Sequence, residues 1–329
     1  MPTFVRRRRA LLSCTVLSVA SAAPIVAQLA HAQVYPSRPV KVIVPFPPGG
    51  TLDIVARMLA GKLSEQLGQQ FVIENRPGGN GLIGGDAVAK APADGYTLLF
   101  NASAFTTTPL TMKAPPYRVE SDFTAIALVA KAPLSVSVAK SLPVNDIKSL
   151  LDHAKANPGK LTFAIGSTAS AGHLSTELLK QAGGIDYVVV PYKGSTPAYQ
   201  DLIGGQISGF VDPVLGAINY HKNGMLKILA VTSSTRLPTL PDVPTVAESI
   251  AGFEFYSWYG LWGPAKMPHE IVEKLNQEVN RALATDMREK LLSQGILLGG
   301  GSTADFTKFQ REDIARSQKM ITQANIRSD

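Results

Sequence analysis

The residues best suited to binding chemistry lie in the segment Val40–Asp53, where an apolar run leads through a turn rich in proline and glycine into a helical pattern. The first five residues predict a strand that is buried on both faces. Gly49 and Gly50 have no Cβ and can adopt positive φ, so a ligand can approach their backbone closely. Thr51 is the predicted N-cap of the helix, whose free N–H groups then point at the turn. Such a turn favours a carboxylate or a phosphate, although an ordinary strand–loop–helix connection can use the same residues.

A second stretch of the same kind is Gly166–Gly172, which places three hydroxyls and two terminal glycines between a predicted strand and a predicted helix. Its N–H groups, hydroxyls and helix dipole can bind a carboxylate without an arginine, and each charge-assisted hydrogen bond contributes about 1.5–3 kcal/mol. His173 begins the helix, where the dipole disfavours protonation, so a neutral imidazole can donate to a ligand or serve the structure alone. Asp212 follows another strand end and can meet a ligand hydroxyl or amine, or cap the helix after Pro213. The pattern predicts two anion-binding loops that face each other.

Two catalytic or cofactor interpretations compete with this one. Ser167 and His173 suggest a nucleophile and its base, as in a serine-type hydrolase, but no orienting acid or oxyanion hole is identifiable and there is no G-x-S-x-G elbow. Gly79–Gly84 matches the dinucleotide pattern G-x-G-x-x-G. It follows the second predicted strand rather than the first, and the strand about 20 residues further on ends in Asn101 instead of an acid. Neither interpretation has the residues that its chemistry requires.

The first 32 residues have the pattern of a cleavable secretory signal. Arg6–Arg9 form a basic start, Ala10–Val26 an apolar stretch, and Ala30-His31-Ala32 a cleavage site of the small-x-small type. We predict that the mature protein begins at Gln33 and is exported to the periplasm as a soluble protein. No later segment has the roughly 18 uninterrupted apolar residues of a membrane-spanning helix.

The formal charge of +7, from 32 basic and 25 acidic residues, is mostly a property of this leader. Without its four arginines the balance is 28 against 25, or +3, and no basic run with interleaved aromatics remains, so a nucleic-acid partner is not predicted. Cys14, the only cysteine, also lies in the leader, which excludes disulfides and thiol chemistry from the mature chain. The remaining histidines are too scattered for metal-ligand spacing. We predict neither a metal nor a cofactor.

The first half of the chain alternates strands and helices as an open α/β sheet does. Strands at Phe71–Ile73 and Thr97–Phe100 complete a βαβαβ unit that begins with the opening segment. Two further apolar runs, Phe123–Val129 and Leu134–Val138, predict separate strands interrupted at Lys131-Ala132-Pro133. We predict that the chain crosses there into a second lobe.

The second half repeats the pattern. A helix is predicted near Asp146–Ala156 and a strand at Leu161–Ile165. Thr196-Pro197 predicts an N-cap followed by a proline at the first helical position. Strands at Ile207–Val211 and Leu226–Val231 are expected to complete a second parallel set.

The predicted organisation is discontinuous. After the signal at residues 1–32, residues 33–130 begin the first lobe, residues 131–252 form the second lobe, and residues 253–329 return to the first lobe with C-terminal helices. Parallel sheets of this class bind ligands beyond the carboxyl ends of their strands. A cleft between the lobes is therefore the expected ligand site.

Six short segments give the chain a resemblance to one family. They are Pro45–Asp53 with its two adjacent glycines, Glu74–Gly78, Ala93–Leu98, Gly172–Leu174, Val190–Gly194 and Leu240–Glu248. Together and in this order they resemble the substrate-binding receptors of bacterial tripartite tricarboxylate transporters, also called Bug receptors. The resemblance covers nearly the whole mature chain. One departure is Thr108, where the family often has an asparagine before proline.

The resemblance implies an α/β fold of the two-lobed periplasmic binding protein type, similar to type II, in which two mainly parallel sheets flanked by helices close on a ligand like a Venus flytrap. It implies a monomeric, non-catalytic receptor that captures a small carboxylate and delivers it to the membrane subunits of a transporter. A periplasmic serine-type hydrolase and a solute sensor for a signalling partner remain the alternatives. The candidate ligand-binding residues are Phe46, Pro48, Gly49, Gly50, Thr51, Asn101, Ser103, Ser167, Thr168, Ser170, Gly172, His173, Gly194 and Asp212.

Overall fold

The computed structural model describes residues 35–328. Their strands are β1 (Val40–Val44), β2 (Phe71–Asn75), β3 (Thr97–Ala102), β4 (Phe123–Ala139), β5 (Thr162–Ile165), β6 (Val188–Pro191), β7 (Gly209–Pro213), β8 (Leu226–Val231), β9 (Tyr256–Pro264) and β10 (Leu297–Leu298). Their helices are α1 (Thr51–Leu67), α2 (Leu82–Ala89), α3 (Ala104–Thr107), α4 (Val119–Asp122), α5 (Ile147–Ala156), α6 (Ala171–Gly183), α7 (Ser195–Ile203), α8 (Val214–Lys222), α9 (His269–Leu283), α10 (Asp286–Leu292) and α11 (Thr303–Gln323).

The first βαβ unit forms as predicted. β1 pairs in parallel with β2 on one side and with β3 on the other. Successive residues of β1 point to opposite faces, so Val42 packs in the cluster that contains α1 and α9, whereas Ile43 packs in the cluster that contains Phe306 of α11. α1 buries Val55 and Leu59 against the sheet. Helices on both faces explain why β1 is an almost continuous apolar run.

The prediction of two strands interrupted at Lys131-Ala132-Pro133 is wrong, because β4 runs unbroken through this segment. All three residues remain paired with antiparallel β9, ending at Pro133 opposite Tyr256. The fixed φ of proline is compatible with extended backbone, and the residue lacks only one hydrogen-bond donor. From Leu134 onward β4 pairs instead with β7. A single strand therefore belongs to both halves of the sheet.

The second half contains another parallel trio, in which β5 lies between β6 and β7. β7 and β8 both run antiparallel to β4 and pair with it along the same stretch, which places β4 between them. The expectation that β8 completes a parallel set is therefore wrong in its pairing, although β7 and β8 run in the same direction. Apolar side chains of α5 and α6 pack on one face of this trio, and those of α7 and α8 form the other buried cluster.

The strand order across the described residues is β2-β1-β3-β9-β4-β7-β5-β6, with β8 and β10 each paired to β4. The architecture is α/β, with a parallel trio in each half and antiparallel strands between them. The predicted signal and the predicted start at Gln33 lie outside the described residues. Within residues 35–328, no helix combines the length and the apolar character needed to cross a membrane.

Candidate functional site

A cavity of about 100 Å³ lies where the β1–α1 turn, the end of β3 and β9 meet the loops that follow β5, β6 and β7. The carboxyl ends of both parallel trios therefore contribute to its wall, as expected for this class of sheet. The predicted site residues that line it are Phe46, Gly50, Thr51, Ser103, Ser167, Ser170, Gly172, Gly194 and Asp212. The predicted residues that do not line it are Pro48, Gly49, Asn101, Thr168 and His173.

The β1–α1 turn is held in shape by the Asp53 carboxylate. Its Oδ2 accepts hydrogen bonds from the Gly49 N–H at 3.1 Å and from Arg57 Nε at 2.9 Å, and its Oδ1 accepts from Asn75 Nδ2 at 2.9 Å. Burial by itself raises the pKa of Asp53, but these hydrogen bonds and the Arg57 charge outweigh it and leave that pKa below its usual value. Asp53 is thus an ionised clamp that fixes the turn.

Thr51 is not the N-cap of α1, as the sequence predicted, because the helix already includes it and Gly50 is the N-cap, with φ −79°. Of the two adjacent glycines only Gly49 has positive φ, at 90°. Gly49 and Pro48 are exposed and lie outside the cavity wall. The turn therefore presents Gly50 and Thr51, with the first N–H groups of α1, to the cavity.

The opposite loop is organised by Ser170 and His173. Ser170 is the N-cap of α6, and its Oγ accepts from the His173 N–H at 3.2 Å. His173 Nδ1 accepts from the Ala169 N–H at 3.0 Å, and Ala169 has a φ of 56°. Burial lowers the pKa of His173 to about 4, so the imidazole is neutral. His173 thus supports the loop from behind and does not reach the cavity.

The hydrogen bonds of Ser167 do not fit a nucleophile. Ser167 Oγ donates to the Thr168 carbonyl at 3.5 Å, while His173 Nε2 lies 3.9 Å from Glu177 Oε1. Among the described residues no hydrogen bond joins Ser167 to His173. The pair lacks the contact by which a base activates a serine.

The start of α6 lies close to β7 because of Gly172. A Cβ at this position would lie 2.5 Å from the Val211 carbonyl oxygen, closer than real contacts allow. Glycine therefore brings the free N–H groups of α6 next to the end of β7, where Asp212 is found.

Asp212 is held from the loop after β6. Its Oδ1 accepts from Ser195 Oγ at 3.0 Å. α7 begins at Ser195, after Gly194 with φ 104°, so the prediction that Thr196 caps this helix and Pro197 opens it is wrong by two residues. Asp212 does not cap α8 either, because Pro213 holds that position and no side chain caps it.

The Asp212 carboxyl is only 7% exposed and carries no ion pair among the described residues. Burial raises its pKa to about 7, although the hydroxyls of Ser195 and Tyr199 oppose the shift. Its Oδ2 has no hydrogen-bond partner in the described part of the chain. A buried carboxyl oxygen without a partner is energetically costly unless something else contacts it.

Four polar atoms of the cavity wall share this condition. Thr51 Oγ1, Ser103 Oγ, Asp212 Oδ2 and the Tyr259 hydroxyl are buried without a hydrogen-bond partner from the described residues. They come from both halves of the sheet. Buried polar groups in native proteins are nearly always partnered by protein, water or ligand. Their convergence makes this cavity the candidate site for a polar solute or for water.

Several cavity residues were not among the predicted ligand contacts, and three polar examples are Lys193, Ser195 and Tyr259. Lys193 is exposed and is the one basic side chain in the wall. Tyr259 lies on β9 in an aromatic run that looks like pure core, and only the unpartnered hydroxyl distinguishes it. Asn101 was predicted but does not line the cavity, and its Oδ1 accepts from the Ala102 N–H at 2.8 Å.

The remaining wall is largely apolar, with Phe46, Leu52, three alanines and three prolines. N–H groups and hydroxyls can hold an anionic end of a solute, while the apolar surface covers its carbon body. The described residues contain no cluster of three or more potential metal ligands. The arrangement suits a small organic anion.

Comparison with protein families gives a match between residues 55–326 and the model of the tripartite tricarboxylate transporter family receptor. BugT from Bordetella pertussis is 37% identical over 84% of this chain and 84% of its own length. A UPF0065 protein from the tcbD-tcbE intergenic region of a Pseudomonas strain is 38% identical, with 90% of this chain and 89% of that protein covered.

Solved structures agree in fold. An R. palustris protein with adipate is 39% identical, covers 89% of this chain and 99% of its own, and superposes with a TM-score of 0.87. The periplasmic binding protein BugD is 34% identical, with coverage of 90% and 100% and a TM-score of 0.85. MatC from Rhodopseudomonas palustris with bound malate is 31% identical, with coverage of 87% and 100% and a TM-score of 0.81.

Proposed function

Because this chain belongs to the tripartite tricarboxylate transporter receptor family, we propose that it captures a small carboxylate outside the cytoplasm and delivers it to the membrane subunits of such a transporter. The observation that carries the proposal is the set of four unpartnered polar atoms in one cavity, Thr51 Oγ1, Ser103 Oγ, Asp212 Oδ2 and the Tyr259 hydroxyl. Relatives with adipate or malate support the ligand class.

The proposed ligand contacts come from both sides of the cavity. One side offers Gly50, Thr51 and the first turn of α1, and the other offers Ser167, Ser170 and the first turn of α6. A carboxylate between two helix N-termini gains hydrogen bonds and favourable dipoles from each. In this proposal Gly49 and His173 act indirectly, by fixing the two loops.

Closure of the two halves on the ligand follows from this division of contacts. We assign residues 33–130 and 253–329 to one lobe and residues 131–252 to the other. The proposed hinge is the point on β4 where pairing with β9 ends and pairing with β7 begins. A ligand that touches both lobes binds the closed state better and shifts the population toward it. The receptor is proposed to act as a monomer in the periplasm, after removal of the predicted leader.

Binding without chemical change is part of the proposal. It is supported by the absence of a hydrogen bond between Ser167 and His173 among the described residues, and by solute-binding proteins among the relatives. A sensor would use the same cavity and differ only in its partner. No observation on this chain favours the hydrolase or the sensor.

The test pairs two threonines whose hydroxyls are both buried without a partner. Thr51 lines the cavity, whereas Thr176 does not. Mass spectrometry of the denatured, purified protein identifies any retained acid, and calorimetry with that acid, adipate and malate measures affinity. We expect Thr51→Val to weaken binding by about tenfold or more, because one hydrogen bond to a charged group is lost.

Thr176→Val is the matched control and should leave the affinity unchanged. Saturation at 100 times Kd should stabilise the wild-type fold by about 2.7 kcal/mol. The proposal fails if no carboxylate binds, if both variants bind as the wild type does, or if the bound acid is converted to a product.

A further inference from the structure

One carboxyl in the cavity wall, that of Asp212, would repel an anionic ligand if it were ionised. Asp212 is 7% exposed, and its Oδ1 accepts a single hydrogen bond from Ser195. Its Oδ2 has no hydrogen-bond partner among the described residues, although the Tyr199 hydroxyl lies nearby. An ionised carboxylate is normally surrounded by several donors or by a cation when it is buried. The observed surroundings suit a neutral acid better than an anion.

The groups packed around this carboxyl supply no neutralising charge. α7 contributes Tyr199 and β9 contributes Tyr259, and burial first and the nearby Asp212 second raise the pKa of both phenols, so both are neutral. α8 contributes Tyr220, which lies beside Tyr199. The stretches of β4 and β5 that pair with β7 contain no titratable residue, and Ser135 stands opposite Asp212.

Two other elements reach this region. α6 packs against β7 and brings His173, whose burial keeps it neutral. The loop after β6 brings Lys193 to the same cavity, but its side chain is exposed and makes no ion pair with Asp212. The first lobe offers Asp53, which is already paired with Arg57. No described cation therefore compensates a charge on Asp212.

Burial raises the pKa of this carboxyl to about 7, before any ligand is present. An anionic ligand enters a cavity of only about 100 Å³ that is lined by the same carboxyl. The negative charge of a ligand in the same cavity disfavours ionisation of Asp212 further. Two carboxyl groups that share a site therefore hold a proton between them, as they do in other buried pairs.

From this geometry we propose that Asp212 is protonated in the loaded receptor and that its Oδ2 donates a hydrogen bond to an oxygen of the bound anion. The empty receptor takes the proton from solvent when the ligand enters above neutral pH. Asp212 thereby selects for a ligand oxygen at this end of the cavity. The inference rests on the proposed function, because it requires a carboxylate in this cavity.

Calorimetry with adipate tests the proton directly. Titrations in buffers of different ionisation enthalpy, between about pH 7 and pH 9 where adipate is fully ionised, count the protons taken up. We expect uptake to rise toward one proton per adipate, and affinity to fall by up to about tenfold per pH unit as the pH rises above the pKa of Asp212.

Two variants distinguish an effect of Asp212 protonation from an effect on folding. Asp212→Asn retains a donor at the same place, so it should bind adipate with no proton uptake and with an affinity independent of pH in this range. Ser195→Ala removes a hydrogen bond that favours the ionised form, so it should move the onset of the pH dependence upward. Circular dichroism of each variant checks that the fold is kept.

A ligand-independent measurement completes the test. The carboxyl ¹³C resonance that disappears in Asp212→Asn should titrate in the empty wild type with a midpoint near 7. A midpoint near the usual aspartate value of about 3.9 would overturn the inference whatever binds.

The outcomes distinguish the two claims. Adipate binding without proton uptake refutes the proposed protonation of Asp212, and so does loss of adipate binding in Asp212→Asn at every pH. Failure of both adipate and malate to bind at any pH instead counts against the proposed function.

Discussion

Two buried aspartates in the wall of one cavity have opposite electrostatics. Both have little solvent exposure, 3% for Asp53 and 7% for Asp212, but the Asp212 carboxyl lies deeper in the protein. Asp53 accepts hydrogen bonds from Gly49, Arg57 and Asn75, and its pKa is lowered. Asp212 accepts one from Ser195, and its pKa is raised to about 7.

The difference shows that donors and a cationic partner can outweigh burial at Asp53, whereas burial prevails at Asp212, where donors are few and no cation is paired. A carboxylate whose oxygens are all engaged is part of the scaffold. A carboxyl with a free oxygen is available to a solute. Pocket residues of the same type and exposure can therefore be sorted into supports and ligand contacts by their hydrogen bonds.

The largest expected effect is on the pH dependence of stability. The pKa of Asp212 is above its unfolded value of 3.8, so its contribution is fully present below about pH 4 and is lost as the pH rises to about 7. Relative to Asp212→Asn, the empty wild type should lose about 1.4 kcal/mol per pH unit across this range, or about 4 kcal/mol in all.

Urea unfolding of both proteins at several pH values measures this difference. His173 also titrates there, with a pKa of about 4, but it is present in both proteins and cancels. A difference that stays constant from pH 4 to pH 7 would remove the contrast between the two aspartates.

The next effect concerns the clamp. Asp53→Ala leaves the Gly49 N–H without an acceptor, removes one of the two acceptors of the Asn75 amide and deprives Arg57 of its ion pair, so it should lower the free energy of unfolding by about 3 kcal/mol. Because the pKa of Asp53 is lowered, this contribution is present near neutral pH and is lost as the pH falls below about 4.

The matched control is Asp152→Ala. Asp152 pairs with Lys148 on α5, where the two side chains are 60% and 81% exposed, and such pairs contribute about 0.5 kcal/mol or less. Equal destabilisation by the two substitutions in urea titrations would show that Asp53 is not a clamp.

The smallest effect applies the same rule to tyrosines. The Tyr259 hydroxyl is buried without a described partner, whereas the Tyr187 hydroxyl donates to the Thr176 carbonyl. In the empty receptor Tyr259→Phe should change stability by less than about 0.5 kcal/mol, while Tyr187→Phe should cost about 1 kcal/mol. Thermal unfolding compares them, and the reverse order would contradict the rule.

Much of the fold could be predicted because short-range sequence patterns determine many of its elements. The apolar run of β1 and the helical spacing of α1 are local, and both elements form where expected. The break expected at Lys131-Ala132-Pro133 does not occur, because pairing with β9, more than a hundred residues away, holds the segment extended. Tertiary pairing of this kind overrides local propensity.

Part of the cavity wall could be predicted in the same way. Loops between strands and helices identified Thr51, Ser167 and Ser170, which line the cavity. The direction of a side chain was not predictable. His173 Nδ1 accepts from the Ala169 N–H, and the left-handed conformation of Ala169 has no sequence signal. Tyr259 could not be recognised as a candidate ligand contact from sequence, because only the structure shows that its buried hydroxyl has no hydrogen-bond partner among the described residues.

The position of β9 between β3 and β4 has a consequence for the order of assembly during synthesis. The elements that follow β4, through β8, can pair with one another as soon as Val231 has been made. The edge of β3 must wait until Tyr256–Pro264 leaves the ribosome, since β9 is the strand that covers it. An open strand edge is where nascent chains associate with one another. The late arrival of β9 therefore leaves the edge of β3, which is covered in the folded protein, open to association with other chains until Pro264 has been made.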